Sequence, residues 1–500
     1  MSDLIHSAVV IVVRHAPDLQ VLAVRRAENQ RSFPGHWIFP GGLRDAADSQ
    51  LPSGVTETAD AADRQCVLRE LFEETGVLIG FSGDRSGLAQ AQQDLLAGSL
   101  SWADFCTQFA YTPPLEALTD LGLRVTPPIL PRRFETAYYL LVDEAAPEPI
   151  VLSPELCEGG WMAPAALLAR WRAGHTVIAV PVLEVLKVLA ESVPGQGPDL
   201  DRLRAQANDR DTLPIPIEPH PGIELTPLRT PTLAPATHTN GYLVGDQSFV
   251  IVDPASPYAD EQAVLKRILQ RRLDLGHRPL AVLLTHHHRD HVGAAVFVRD
   301  WLGVPIAAHA ETAALVDFSV DQIVNDGDQW DLGQDATGLP WKLEAMFTPG
   351  HAPGHLCFID SRHRVALVGD MLAGIGTILI KRPKGNMGQY LASLQRMADA
   401  GLSRGFPSHG PVIPDLKARC LEYIEHRHMR ESRILAALEP GPLSEAELIE
   451  SVYAGTDPRA LPLARWSLEA HLYRLAEVGQ VESLEPEQGK ATVWGLKAGV

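Results

Sequence analysis

Five hundred residues are too many for one hydrophobic core and imply two or three domains. The composition, 45% hydrophobic and 21% charged, is that of an ordinary globular protein, and a formal net charge of -19 argues against a general nucleic-acid coat protein. No apolar run reaches the roughly 18–20 residues that cross a bilayer, so no membrane partner is expected.

In chain order, Met1–His6 lacks the basic region of a secretory signal and leads directly into an apolar stretch, which fits a cytoplasmic protein. Ser7–Val13 and Gln20–Val24 read as paired strands around Ala16-Pro17-Asp18. The run Trp37-Ile38-Phe39-Pro40-Gly41-Gly42 precedes a loop-like segment, Asp45–Asp63, that contains Pro52, Ser53 and Gly54. A helix is predicted over about Ala59–Thr75. On it Glu70, Glu73 and Glu74 stand at i, i+3 and i+4 and share a face. Three carboxylates on one stripe repel each other. A hard cation removes that repulsion, and oxygen-only ligands suit Mg²⁺ or Mn²⁺. The bland alternative is an acidic helix face turned to solvent. Gly76 is placed to end the helix in a left-handed cap.

Arg69-Glu70-Leu71-Phe72-Glu73-Glu74-Thr75-Gly76-Val77, with the preceding Pro40-Gly41-Gly42, resembles the Nudix box. The resemblance implies a Nudix α/β/α sandwich that uses metal-activated water to cleave a nucleoside diphosphate linked to another moiety. Glu70, Glu73 and Glu74 would then be metal ligands, Glu70 and Glu74 with catalytic roles. One departure stands out: the usual spacing is G-x5-E-x7-R, whereas Gly42 and Arg69 lie 27 positions apart. Counted back from Arg69, the upstream glutamate falls at Ala61, and none is assigned. An insert here, with Pro131-Arg132-Arg133-Phe134-Glu135-Thr136 and Glu158-Gly159-Gly160-Trp161, resembles the branch that includes coenzyme A diphosphatases. Arg132 and Arg133 either grip phosphates bidentately or form an ordinary surface pair. Glu135–Val142 alternates like a strand, and Val182–Ser192 has helical periodicity.

Residues 193–237 are dense in proline, which is expected to block helix and central strand, so the segment reads as a linker entering a second domain near Gly222. Gly241–Gly245 and Ser248–Val252 then read as strands, and Asp260–Arg272 as a helix. The apolar run Ala281–Leu284 ends in Thr285-His286-His287-His288-Arg289-Asp290-His291, followed by a helix over about Val292–Trp301. An H-x-H-x-D-H cluster at a strand end packs imidazoles and a carboxylate together at a desolvation cost that a divalent cation compensates; the bland alternative is a solvated polar loop. Three further segments repeat the pattern of apolar strand, then ligand, then glycine. They are Thr348-Pro349-Gly350-His351, Gly369-Asp370 after Val365–Val368, and Pro407-Ser408-His409-Gly410. His287 and His309 read as structural histidines, and His355 as a group that orients a ligand.

These segments resemble the metallo-β-lactamase fold over about residues 221–415. The resemblance implies an αββα sandwich with two Zn²⁺ or similar divalent ions. His286, His288 and His351 would hold one, Asp290, His291 and His409 the other, and Asp370 would bridge them. Asp290 would be essential to catalysis. The pair would activate water between them and stabilise the charge that develops on the attacked group.

Beyond residue 415, Arg419–Leu438 reads as a long helix, Ser444 and Glu447 as a capping box, Ala464–Glu477 as another helix, and Gln480–Leu484 as the start of a hairpin. Helix, turn, helix and hairpin resemble a small winged-helix domain. With Thr239-Asn240-Gly241-Tyr242 they are similar to the β-lactamase-like-2 branch, whose members include thioester hydrolases and RNA-cleaving enzymes. The winged helix is expected to pack on the active-site rim or on a second copy, since it lacks a dense Lys/Arg run.

The expected organisation is therefore α/β and α+β multidomain: a Nudix domain over 1–200, a proline-rich linker over 201–220, a metallo-β-lactamase-fold domain over 221–415 and a winged-helix-like segment over 416–500. Five scattered cysteines without a CxxC fit reduced thiols. The expected function is bifunctional hydrolysis of a small anionic substrate. One site would cleave a diphosphate such as that of coenzyme A or an acyl-CoA, and the other a thioester or ester. Two alternatives stay open: the second domain cleaves single-stranded RNA, or one site is degenerate and senses its ligand.

Overall fold

Strand Ile5–His15 is buried on both sides, and its alternating residues serve two cores. Val10 and Val12 face a cluster with Val67, Leu71 and Phe72 of helix Ala61–Thr75. Ile11 and Val13 face Leu183 and Leu186 of helix Val180–Ala190, beside Leu167 and Leu168 of helix Pro164–Arg172. A period-2 strand sandwiched between helices places consecutive side chains on opposite faces. This is the α/β/α sandwich expected from the sequence. In this computed structural model the described residues are 4–30, 33–52, 55, 58–126, 132–192, 197–205, 217–335, 338–455, 461–484 and 492–497. Ser53, Gly54, Pro131, Pro194, Gly195, Pro214 and Pro216 lie outside them.

The chain divides into two units, Met1–Pro221 and Gly222–Val500. In the first, the sheet runs Thr119–Val125, Phe134–Val142, Ile5–His15, Leu19–Arg26, His36–Ile38, Val177–Ile178. Gly41–Leu43 pairs antiparallel with the N-terminal strand, Gly41 opposite Val9 and Gly42 opposite Ala8. That pairing lays the glycine pair beside helix Ala61–Thr75. The helix ends at Gly76, whose φ of +66° is left-handed and whose N–H bonds the Phe72 carbonyl at 2.8 Å.

In the second unit, one sheet runs Gln322–Ile323, Ile306–Ala308, Arg278–Leu283, Ser248–Val252, His238–Gly245, Ile223–Arg229. A second runs Gln329–Gln334, Pro340–Phe347, Leu356–Asp360, Val365–Gly369, Gly405–Pro407. Val244, Val250, Leu283, Leu343, Phe358 and Leu367 fill the space between the sheets. Helices Ala259–Asp274 and Ala295–Leu302 cover the outer face of the first sheet, and Met387–Asp399 and Leu416–Leu438 that of the second. This is the αββα order.

Two local expectations are overturned. Among its described residues, the proline-rich stretch contains helix Leu200–Ala205 and strand Ile223–Arg229. Pro227 fits in that strand because its partner Asn240 turns its N–H to the Ser408 carbonyl at 2.7 Å. The pair exchanges no ladder bonds, so the missing proline N–H leaves nothing unpaired. The helix expected over Val292–Trp301 is instead a turn, Arg289–Val292, and a separate helix, Ala295–Leu302. Between them the N–H groups of Gly293 and Ala294 bond the carbonyls of Ala255 and Pro254 at 3.2 and 2.8 Å. Tertiary hydrogen bonds replace helical ones there.

The C-terminal part of this unit has helices Leu416–Leu438, Glu445–Val452 and Leu461–Glu477, with a three-stranded antiparallel sheet of Leu443–Ser444, Val493–Leu496 and Val481–Leu484. Ser444 and Glu447 form the expected capping box. All five cysteines are free thiols, and only Cys157 is exposed. Among the described residues no helix is long and apolar enough to cross a membrane.

Candidate metal centres

Thr285 lies two residues beyond the end of strand Arg278–Leu283, and the next six residues form a loop that enters the turn Arg289–Val292. Four loops from two sheets converge there. Ligand atoms of His286, His288, His351 and Asp370 lie within 4.8 Å of one another, and so do those of Asp290, His291 and His409. The two groups adjoin: Asp370 Oδ1 is 3.6 Å from His291 Nε2 and 3.5 Å from His409 Nε2, and Asp370 Oδ2 is 3.5 Å from His351 Nε2.

The outer hydrogen bonds fix each ring's tautomer. His351 Nδ1 donates to the Leu379 carbonyl at 2.9 Å, which leaves the Nε2 lone pair facing His288 Nδ1 at 3.1 Å. Thr285 Oγ1 donates to Asp253 Oδ2 at 2.6 Å, so it accepts from His286 Nδ1 at 3.0 Å. That leaves the His286 Nε2 lone pair facing His288 Nδ1 at 2.8 Å. A single proton cannot satisfy three converging ring nitrogens, and a cation can. His291 Nδ1 donates to Asp253 at 2.8 Å and His409 Nδ1 to the His238 carbonyl at 3.1 Å, so both Nε2 atoms turn inward. His291 Nε2 and Asp370 Oδ1 are buried without a hydrogen-bond partner. Buried orphaned atoms of this kind are rare. The donor set and its geometry fit a pair of divalent cations.

Electrostatics agree. Burial and the neighbouring rings hold His286 well below the usual histidine range and push His288 down to about 2, so both are neutral donors. Against burial, the carboxylates of Asp370 and Asp290 raise His291 well above that range. A cation at this spot would displace that proton.

Asp253 is a residue that sequence reasoning missed. It is buried, sits at φ +46°, and accepts from Thr285 N, Thr285 Oγ1 and His291 Nδ1. The available signal was its position directly after the apolar strand Ser248–Val252, the same pattern that singled out Asp370. His355 accepts from the Asp370 N–H at 3.1 Å and bonds Thr348 Oγ1 at 2.9 Å, so it orients a candidate ligand. His309 caps the turn Ala310–Ala313 and stacks on Phe347 at 4.4 Å. His287 packs against His288, their ring centroids 4.6 Å apart.

In the first unit the three glutamates are placed differently. Glu74 is buried, and its Oε2 accepts from the Gly41 N–H at 3.0 Å. Arg69 Nη1 bonds Glu70 at 3.0 Å and Glu73 at 2.9 Å. Among the described residues no tight set of three ligand atoms includes these glutamates. A Cβ on Gly42 would fall on the Glu70 carboxylate, so glycine leaves room for that carboxylate beside the strand. Burial raises all three carboxyls, Glu73 up to about 7 and Glu74 well above the usual range, where the Glu70 charge adds to it. A buried acidic cluster with oxygen donors alone fits a hard cation.

Asp48 is the second missed residue. It is buried and bonds Arg69 twice, Oδ1 to Nε at 2.8 Å and Oδ2 to Nη2 at 3.0 Å. Counting forward from Gly42 reaches Asp48 after five residues, where the box has its glutamate. The insert therefore lies between Asp48 and Arg69, and the count back from Arg69 to Ala61 was taken across it. Arg132 stacks over Phe134 at 5.2 Å, and Arg133 Nε donates to the Thr126 carbonyl at 2.8 Å. Neither touches the three glutamates.

The metallo-beta-lactamase superfamily model matches residues 234–409, which include all seven converging side chains. Over 261 residues the chain is 33% identical to the lactamase-like protein adaB of Aspergillus niger, covering 48% of this chain and 75% of that one. The chain belongs to the metallo-beta-lactamase superfamily. It also carries a Nudix domain, since the NUDT19 Nudix domain model matches residues 50–188. Both are families of metal-dependent hydrolases acting on small molecules. The atrochrysone carboxyl ACP thioesterase AacuM of Aspergillus aculeatus is 28% identical over 263 residues, covering 49% of this chain and 77% of that one. Among solved structures, the metallo-beta-lactamase family protein TTHA1429 of Thermus thermophilus is 25% identical with a TM-score of 0.45, covering 55% of this chain and 99% of that one. A NUDIX hydrolase from Alicyclobacillus acidocaldarius is 29% identical with a TM-score of 0.35, covering 39% and 95%.

Proposed function

We propose that this hydrolase has two working centres, a thioesterase in the second unit and a diphosphatase in the first, with acyl-coenzyme A or a related acyl carrier as the substrate class. The observation that carries the reading is the pair of adjoining ligand groups around Asp370, whose inward-facing nitrogens and orphaned carboxylate oxygen are complementary to two cations. His286, His288 and His351 would hold one Zn²⁺ or similar ion, Asp290, His291 and His409 the other, and Asp370 both. When bound, the pair supplies Lewis acidity that activates water and stabilises charge on the attacked carbonyl. The chain's own residues do the rest. Asp253 holds the His291 ring, the Leu379 carbonyl holds His351, and His355 holds the backbone of Asp370. The thioester assignment is supported by the likeness to AacuM, itself a thioesterase acting on an acyl carrier.

In the first unit Glu70, Glu73 and Glu74 would hold Mg²⁺ or Mn²⁺, which supplies water activation at phosphorus. Glu70 and Glu73 would turn from Arg69 toward the ion, while Gly41 keeps Glu74 in place and Asp48 keeps Arg69 in place. Arg132, exposed beside Phe134, and Arg133 remain candidates for phosphate contact.

The test is a substrate panel on the full chain and on two variants, Asp290→Ala and Glu74→Gln, each assayed with Zn²⁺ and with Mg²⁺ or Mn²⁺. Thioester cleavage should vanish in the first variant and diphosphate cleavage fall in the second. A chain that cleaves single-stranded RNA but no thioester overturns the assignment of the second centre.

A further inference from the structure

Asn386, Tyr390 and Ser393 stand at i, i+4 and i+7 and share one face of helix Met387–Asp399, with Asn386 as its N-cap. All three meet the loop that carries His351. The Asn386 N–H bonds the Gly350 carbonyl at 2.8 Å, and Ser393 Oγ donates to the Pro349 carbonyl at 2.8 Å. Between these two bonds the loop lies directly on Tyr390. A Cβ on Gly350 would fall on the Tyr390 backbone, and the local φ of +135° favours glycine.

The Tyr390 side chain reaches a second loop. It is fully buried, and its hydroxyl donates to the Met371 carbonyl at 2.8 Å. Met371 directly follows Asp370, whose own N–H is held from the other side by His355 at 3.1 Å. One helix thus grips both the loop of His351 and the loop of Asp370, whose side chains approach to 3.5 Å. A third segment joins at the ring. The guanidinium of Arg427, a buried residue of helix Leu416–Leu438, lies 5.6 Å over Tyr390, and its Nη2 donates to the Ile378 carbonyl at 2.6 Å. The next carbonyl, that of Leu379, is the one that accepts from His351 Nδ1 at 2.9 Å.

We propose that Tyr390 is a positioning residue of the second centre. Its hydroxyl and backbone set the separation of His351 from Asp370, and Arg427 ties the outer side of the His351 ring to the same point. A carboxylate shared by two cations has little freedom to follow either one, so an error in its placement weakens both. A packing role alone predicts a different result: the fold is weakened equally with and without metal. The inference rests on the two-cation reading of this centre and not on the choice of substrate.

The test uses the full chain with zinc, in excess Mg²⁺ to occupy the oxygen-only centre of the first unit, and with cobalt(II) as a spectroscopic probe. Tyr390→Phe keeps the ring under Arg427 and removes only the hydroxyl. Zinc affinity, read by competition with a chromogenic chelator, should fall about tenfold or more. The visible cobalt bands should shift, and the rise in melting temperature that zinc confers should shrink. Arg427→Met should weaken zinc binding as well. The two changes together should cost less than the product of each alone, because both act on the placement of His351; strict additivity removes Arg427 from the arrangement. A parent that binds no zinc in the second unit overturns the two-cation reading and this one with it. A parent that binds two equivalents, matched by Tyr390→Phe in affinity and cobalt bands while metal-free and zinc-loaded melting fall equally, overturns this one alone.

Discussion

Asp48 and Arg69 are joined by two hydrogen bonds, of 2.8 and 3.0 Å, across 20 intervening residues. Asp48 is 1% exposed, and Arg69 also contacts Glu70 and Glu73, so one carboxylate outside the helix fixes the cation that spaces two carboxylates on it. Asp48→Ala should destabilise the first unit by about 3 kcal/mol or more, as expected when one partner of a buried ion pair is removed. Diphosphate hydrolysis should fall with it. Asp48→Glu should recover part of the activity; thermal melting and kcat/KM, measured together, check both.

Glu74→Gln should separate activity from folding. Glutamine keeps the carbonyl oxygen that accepts from the Gly41 N–H, and it stays uncharged where burial opposes a carboxylate. Diphosphate hydrolysis should drop about 100-fold or more, equivalent to ~2.7 kcal/mol of transition-state stabilisation. Melting in metal-free buffer should be unchanged or higher, and the stabilisation by Mg²⁺ should shrink. A solvated acidic face would show neither effect.

Metal-free protein should lose stability in the first unit as pH rises. Burial lifts the Glu73 carboxyl from 4.5 to about 7, so the fold favours its protonated form. That contribution is fully present below pH 4.5 and is lost as pH climbs through about 7. Melting curves in chelator at pH 5 and pH 8, for the parent and for Glu73→Gln, give the comparison. The variant should show a shallower decline, and Mg²⁺ should flatten that of the parent.

Asp290→Ala should abolish thioester hydrolysis and leave diphosphate hydrolysis intact, because its carboxylate closes the group with His291 and His409. Retention of more than about a tenth of the activity, only ~1.4 kcal/mol of barrier, would count against the two-cation assignment.

Asp253→Asn should weaken metal binding without removing a ligand. The amide keeps an acceptor for the Thr285 N–H, yet it no longer offers a charged partner to both Thr285 Oγ1 and His291 Nδ1. Loss of such a support typically lowers metal affinity about 10- to 100-fold. Competition with a chromogenic chelator measures it directly.

Features confined to one element were legible in the residues alone. The i, i+3, i+4 glutamates fell on helix Ala61–Thr75 with Gly76 as its left-handed cap, and H-x-H-x-D-H fell at a strand end. Such spacings are set by helical and extended repeats, which do not depend on the rest of the chain. Tertiary structure decided everything that joins elements. Asp48 meets Arg69 only because the short helical turn Ala46–Ser49 packs against helix Ala61–Thr75, and Asp253 meets His291 only because strands Ser248–Val252 and Arg278–Leu283 run parallel and end side by side. The break at Gly293, the strand through Pro227, and the loop that holds His351 likewise follow from hydrogen bonds to distant carbonyls. No local spacing encodes those bonds, because their partners are chosen by sheet register and packing.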